Sequence, residues 1–180
     1  VHGELDGDPI HVFVNHWPSR SGGERATMNK RKAAARVCKN VSDSIVASDP
    51  KAKIIIMGDL NDDPISPSVK KVLDGEEKVD QVETGEFFNP MYNPFKKGVG
   101  TNAYRDAWNL FDQILVSFGL LRESGSSGYS YYKMGIYNPR YLRQKTGNYK
   151  GYPYRTFGGG EYLGGYSDHF PVYIFLIAKK

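Results

Sequence analysis

Ile54-Ile55-Ile56-Met57-Gly58-Asp59-Leu60-Asn61 decides the fold of this chain. A run of β-branched residues closed by a glycine and an acid describes a buried strand, spanning residues 53–58, that delivers a carboxylate to the edge of a sheet. The same design recurs near the other end, where Ser167-Asp168-His169-Phe170 leads into Pro171-Val172-Tyr173-Ile174-Phe175-Leu176-Ile177. That second run is β-branched and aromatic, of strand length, and bounded by turn residues. Two buried strands then bring two polar clusters to one edge of a sheet.

Outward from residue 54, residues 10–15 read as another strand, preceded by a hairpin in which residues 1–5 turn back through Asp6-Gly7-Asp8-Pro9. A polar loop over 16–23 leads to a helical pattern from 24 to about 47, stopped by Asp49-Pro50. Ala26, Ala33, Ala34, Val37, Val41 and Ile45 recur at helical steps and predict one apolar stripe against the core. Lys30, Arg31, Lys32, Arg36 and Lys39 read as a solvated face of that helix. Strand, helix, strand in succession places the helix across a sheet. A shorter helix is expected over 67–73, ending at Asp74-Gly75. Residues 85–105 read as loop and 108–117 as strand. Residues 125–166 are rich in glycine and tyrosine and predict an ordered insertion with a short hairpin over 129–137, because so many aromatics imply burial.

A length of 180 residues with 39% hydrophobic and 13% aromatic content fits one domain, 1–180, with its own core, and excludes disorder. The lone cysteine, Cys38, excludes an intrachain disulfide and a cysteine zinc site; its place on the helix predicts a buried small hydrophobe. No apolar run reaches the ~20 residues of a membrane span. The chain opens at Val1 inside a hairpin and is read as part of a longer protein, so its compartment is unreadable, as is its oligomeric state. A net charge of +4 is compatible with a polyanionic partner and does not select one.

Chemistry is carried by residues at strand ends. Asp59 and Asn61 alternate along what reads as an extended segment, so both face one way, the first as a base and the second as an amide donor. Asp168 and His169 diverge, one suited to a metal and the other to a phosphate oxygen. Asp112 sits in the otherwise apolar run Phe111-Asp112-Gln113-Ile114-Leu115-Val116-Ser117, where an unpaired carboxylate is costly, and His169 is its natural partner. Asn15 and His16 end the strand Val12-Phe13-Val14; alone, His16 would be read as a satisfied loop histidine. Asn15, and Ser19 and Arg20 after it, could contact a phosphate, as could Arg155 ahead of Gly158-Gly159-Gly160, whose glycines permit close backbone approach. Together these supply what phosphate-ester hydrolysis requires: a metal ligand, a base for water, and donors to non-bridging oxygens.

Through VNHWPSRSGG (14–23), IIIMGDLNDDP (54–64), FDQILVS (111–117) and GGYSDHFPV (164–172), the sequence resembles the endonuclease/exonuclease/phosphatase superfamily, and bacterial members most closely. The resemblance implies an α+β fold, the four-layer αββα sandwich of the deoxyribonuclease-like type. It implies a divalent-metal-dependent hydrolase of phosphate esters using Mg²⁺ or Mn²⁺, whether phosphodiesterase, phosphatase or nuclease. On this likeness His16 would bond the phosphate or protonate the leaving group, Asp59 would orient or deprotonate water, and Asn61 would bind phosphoryl oxygens. Asp112 would orient His169, His169 would contact the scissile phosphate, and Asp168 would help hold the metal. Two family marks are missing: an asparagine near the start of the domain and a metal-binding glutamate after it. The chain is therefore expected to be the C-terminal portion of such a domain, without its N-terminal strands, and to bind metal weakly and be inactive alone. A non-catalytic module binding phosphate or nucleic acid is the competing expectation. The catalytic residues address only the phosphate, so substrate choice must reside in the tyrosine-rich segment.

Overall fold

The structure is a computed structural model and describes residues 1–178. In chain order it contains β1 (His2–Leu5), β2 (Asp8–His16), α1 (Glu24–Ser48), β3 (Ile54–Asp59), β4 (Gly75–Glu76) and β5 (Phe87–Phe88). There follow α2 (Tyr92–Lys96), β6 (Asn102–Tyr104), β7 (Ala107–Asn109), β8 (Asp112–Ser117), β9 (Tyr129–Ile136), β10 (Phe157–Gly158), β11 (Glu161–Tyr162) and β12 (Val172–Ala178). Asp6 and Gly7, at φ 50° and 80°, form the tight turn that joins β1 to β2.

The main sheet has six strands in the order β1-β2-β3-β8-β5-β4. β2 and β3 are parallel, and α1 is the crossover between them. Strand alternation sorts the apolar residues onto two faces. Phe13, Ile54, Ile56 and Leu115 pack with Trp17, Ala35, Cys38 and Phe87 on the α1 side. Ile10, Val12, Ile55, Met57, Ile114 and Val116 face the other way, onto Tyr131, Met134, Ile136, Val172, Ile174 and Leu176 of a second sheet made of β9 and β12. The result is a helix, a mixed sheet and a second sheet, three layers of a deoxyribonuclease-like sandwich. Among the described residues, no helix is long and apolar enough to cross a membrane.

Four local expectations fail. The inward face of α1 carries Thr27, Arg31, Ala35, Cys38 and Ser42, with Ala34 and Ile45 of the expected stripe packed against the core beside them, whereas Val37 is 64% exposed and Ala26, Ala33 and Val41 also face water. The cause is Arg31, which is fully buried instead of solvated: its Nε lies 2.8 Å from Asp62 Oδ1 and its Nη1 donates to Thr27 Oγ1 at 2.7 Å. Polar residues turned inward shift the buried face away from the apolar period. Second, residues 129–137 form no local hairpin; β9 pairs antiparallel with β12, from Tyr129↔Ala178 to Ile136↔Val172. Third, the strand expected over 108–117 is broken, because β7 folds back on β6 through Arg105 and Asp106, both at positive φ, and β8 begins only at Asp112. Fourth, the loop expected over 85–105 contains β5, α2 and β6.

Candidate active site

Register across three neighbouring strands assembles the site. His16 pairs with Asp59 between β2 and β3, and Asp59 with Asp112 between β3 and β8, so the three side chains form one row on one face at the end of the sheet. His16 Nε2 lies 3.5 Å from Asp59 Oδ2. His169, arriving on the segment before β12, places Nδ1 2.7 Å from Asp112 Oδ2. Ser167 Oγ accepts the His169 backbone N–H at 3.1 Å, Asn102 Nδ2 donates to the Asp168 carbonyl at 3.0 Å, and the Phe170 N–H donates to the Thr101 carbonyl at 2.9 Å. Thr101 and Asn102 thus hold the His169 segment, yet nothing in the sequence sets them apart from other polar loop residues.

The close approach of β2 to β3 requires Gly58. Its φ is 131°, and a Cβ there would lie 1.9 Å from the Asn15 carbonyl oxygen. After Asp59 the chain turns sharply, because Asn61 has φ 49° and its N–H donates to Asp59 Oδ1 at 2.9 Å. Asn61 is therefore not extended as expected; it is buried, and its Nδ2 donates to the Trp17 carbonyl at 2.9 Å.

Burial raises the Asp59 pKa, and the charge of Asp112 adds to it, against the opposing pull of the Asn61 N–H, His169 and His16. Burial lowers the His169 pKa, but the hydrogen bond and charge of Asp112, with Asp59 and Asp168 behind it, outweigh this and leave it raised. A carboxylate drawn toward taking a proton thus stands beside an imidazole drawn toward keeping one.

Two expected phosphate contacts are directed elsewhere. Asn15 precedes His16, so its side chain takes the opposite face: Oδ1 accepts from Trp17 Nε1 at 3.2 Å and from Cys38 Sγ at 3.1 Å. Cys38 is buried, and that burial pushes its thiol pKa up. Arg20 is fully engaged: Nε donates to the Asn61 carbonyl at 2.8 Å, and Nη2 reaches Asp62 at 3.2 Å and Asp63 at 3.1 Å. Its guanidinium lies 4.5 Å over the Phe111 ring. Ser19 is exposed, and its Oγ accepts the Ser21 N–H. Arg155, by contrast, lines a shallow groove of about 380 Å³ together with Ser167 and Asp168. Gln113, buried in β8, donates to the Asp62 carbonyl at 2.6 Å and accepts from Asn89 at 2.8 Å, bracing the turn after Asp59.

Asp168 could offer one carboxylate to a cation. Among the described residues, however, no group of three or more His, Cys, Asp or Glu side chains is arranged to hold a metal, and Asp112 is committed to His169. These residues do not by themselves make a metal centre.

No curated protein sequence matches the chain. Among solved structures, humanized D. rerio TDP2 carrying 14 mutations superposes with a TM-score of 0.56 at 16% identity, covering 98% of this chain and 58% of that one. D. rerio TDP2 complexed with single-strand DNA product gives 0.56 at 14% identity, covering 98% and 60%. Truncated Caenorhabditis elegans TDP2 gives 0.55 at 18% identity, covering 95% and 56%. At such identities the likeness is one of fold, and the chain spans little more than half the length of each neighbour. A model of the "Endonuclease/Exonuclease/phosphatase family" matches residues 1–179. On that match the chain belongs to the endonuclease/exonuclease/phosphatase family.

Proposed function

We propose that this chain is the phosphate-handling part of a phosphate-ester hydrolase. The observation that carries the reading is the Asp112–His169 pair at 2.7 Å, set in register beside Asp59 and His16. With Nδ1–H given to Asp112 and the surrounding carboxylates favouring the imidazolium, His169 Nε2–H is left to donate to a phosphate oxygen. Asp59, its basicity raised by burial, takes the proton of the attacking water. His16, whose side chain is 77% exposed at the edge of the row, reaches the leaving-group oxygen. Asn61 contributes to the site by shaping the turn that aims Asp59.

Dependence on Mg²⁺ or Mn²⁺ is part of the proposal and rests on family membership. Asp168 would give the ion one oxygen, and the described residues do not supply the rest. Single-stranded DNA is the substrate class favoured by the net positive charge and by the TDP2 neighbour complexed with such a product. The absence of a three-ligand cluster among the described residues favours one competing reading, a module that binds phosphate without cleaving it.

The test is hydrolysis of bis-p-nitrophenyl phosphate and of single-stranded DNA with Mg²⁺, Mn²⁺ or EDTA, using this chain and an N-terminally extended form. Metal-dependent turnover that falls by roughly 10²–10³ in His169→Ala, the scale for losing one transition-state donor, supports hydrolysis. No turnover by either form, with phosphate affinity untouched by His169→Ala, establishes the binding module.

A further inference from the structure

The tyrosine-rich segment builds a second concavity, a cleft of about 850 Å³ lined by Arg105, Gln144, Asn148, Tyr149, Tyr152 and Arg155 among others. This is the size range of small-ligand sites. The cleft is joined to the candidate active site, because Arg155 also lines the groove containing Ser167 and Asp168. Backbone bonds fix that junction: the Tyr154 carbonyl accepts the N–H of Tyr166 at 2.8 Å and of Ser167 at 3.3 Å, and the Arg155 carbonyl accepts the Gly165 N–H at 3.1 Å.

Aromatic rings run the same way. Tyr149 and Tyr152 lie 5.6 Å apart, Tyr152 and Trp108 5.4 Å, and Trp108 and Phe170 6.2 Å, a file of rings from the cleft to the neighbour of His169. The acid on the cleft wall, Asp106, is engaged by the Tyr152 hydroxyl at 2.6 Å, while Arg105 and Arg155 have no ion-pair partner among the described residues. An acyl chain would be mismatched with two guanidinium groups and two carboxamides. A planar heterocycle attached to a phosphate matches all three features: aromatic faces to stack on, amides for its edge, and a cation between it and the reacting phosphate.

We propose that this cleft is a base-binding subsite, which seats the nucleobase adjoining the phosphate held at His169. The proposal rests on the hydrolase reading for the location of that phosphate. Its occupant is a nucleotide unit, either free or within a single strand.

The experiment is calorimetric titration in EDTA with three unlabelled probes: tetrathymidylate, an abasic tetramer of equal charge, and thymidine 5′-monophosphate. Wild-type protein is expected to bind tetrathymidylate about tenfold or more tightly than the abasic strand, the scale of stacking one base on an aromatic ring. Tyr149→Ala should erase that preference; Tyr149 is 66% exposed, so the substitution leaves the fold intact, as circular dichroism should verify. Arg155→Gln should weaken both strands alike. Monophosphate binding lost in Tyr149→Ala identifies a free nucleotide as sufficient, whereas tetramer binding alone identifies a strand; both support the subsite. Equal affinity for base-bearing and abasic strands, no binding of any probe, or a preference that survives Tyr149→Ala would overturn it. Hydrolysis plays no part in this readout, so the subsite and the hydrolase reading can fail separately.

Discussion

Asp59 lies where the needs of folding and of chemistry conflict. Burial holds its pKa above the ordinary value of 3.8, with Asp112 paired directly across from it. A carboxyl whose folded pKa is raised favours folding while protonated, and that contribution is lost as pH rises through the folded pKa. At pH 7 the ionised form is therefore a cost to the fold. Asp59→Asn is expected to raise Tm at pH 7 by a few degrees, on a scale where about 1 kcal/mol reads as roughly 2–4 °C for a chain of this size. The gain should shrink as pH falls toward the ordinary carboxylate range, and calorimetry that finds no gain, or a gain flat with pH, would contradict it. Asp112→Asn should have a different signature: with its partner's charge gone, the His169 pKa should fall, read by NMR titration of the imidazole in EDTA. The gathering of His16, Asp59, Asp112 and His169 at one end of the sheet was legible in the sequence because each borders an apolar run. Asn15 and Arg20 were not, since the face of a strand end depends on register, and the acids that claim Arg20 are 42 and 43 positions away in the chain.

At the scale of elements, β2, β3, β8 and β12 follow from β-branched runs, and α1 follows from its length and its stop at Asp49-Pro50. What could not be read was which side of α1 faces inward, because a buried ion pair, not an apolar stripe, selects it. Arg31→Ala should cost about 3 kcal/mol by urea unfolding, at the low end for breaking a buried pair because Asp62 keeps Arg20 at 3.2 Å and the Ser68 hydroxyl. Val37→Ala, on the exposed side, should change stability by less than about 0.5 kcal/mol. Similar costs for the two would mean that the apolar stripe is buried after all. The partner of β9 was equally hidden: β12 lies some forty residues further on, and alternation within β9 reveals a strand without naming its neighbour.

Seen as layers, the molecule buries the second sheet on one side only. Ile174 and Leu176 point into the core against the main sheet, while Tyr173 and Phe175, alternating with them, are exposed with Tyr132. Tyr173 and Phe175 meet edge to face at 5.4 Å, and Lys133 Nζ lies 5.0 Å over the Phe175 ring, so the outward aromatics pack against one another and a cation while staying open to water. β9 and β12 pair only with each other, which leaves each with an unpaired edge among the described residues. An aromatic face flanked by open edges favours association. Sedimentation velocity at increasing concentration should show self-association of this chain, and the double substitution Tyr173→Lys with Phe175→Lys should shift it toward monomer with its circular dichroism unchanged. The adjacent position supplies the control. Ile174→Lys drives an unpaired charge into the interface between the sheets and should destabilise the fold by several kcal/mol. If Phe175→Lys proved as damaging as Ile174→Lys in the same unfolding experiment, the outer face would be a buried layer in solution, and its exposure in this arrangement would have to be abandoned.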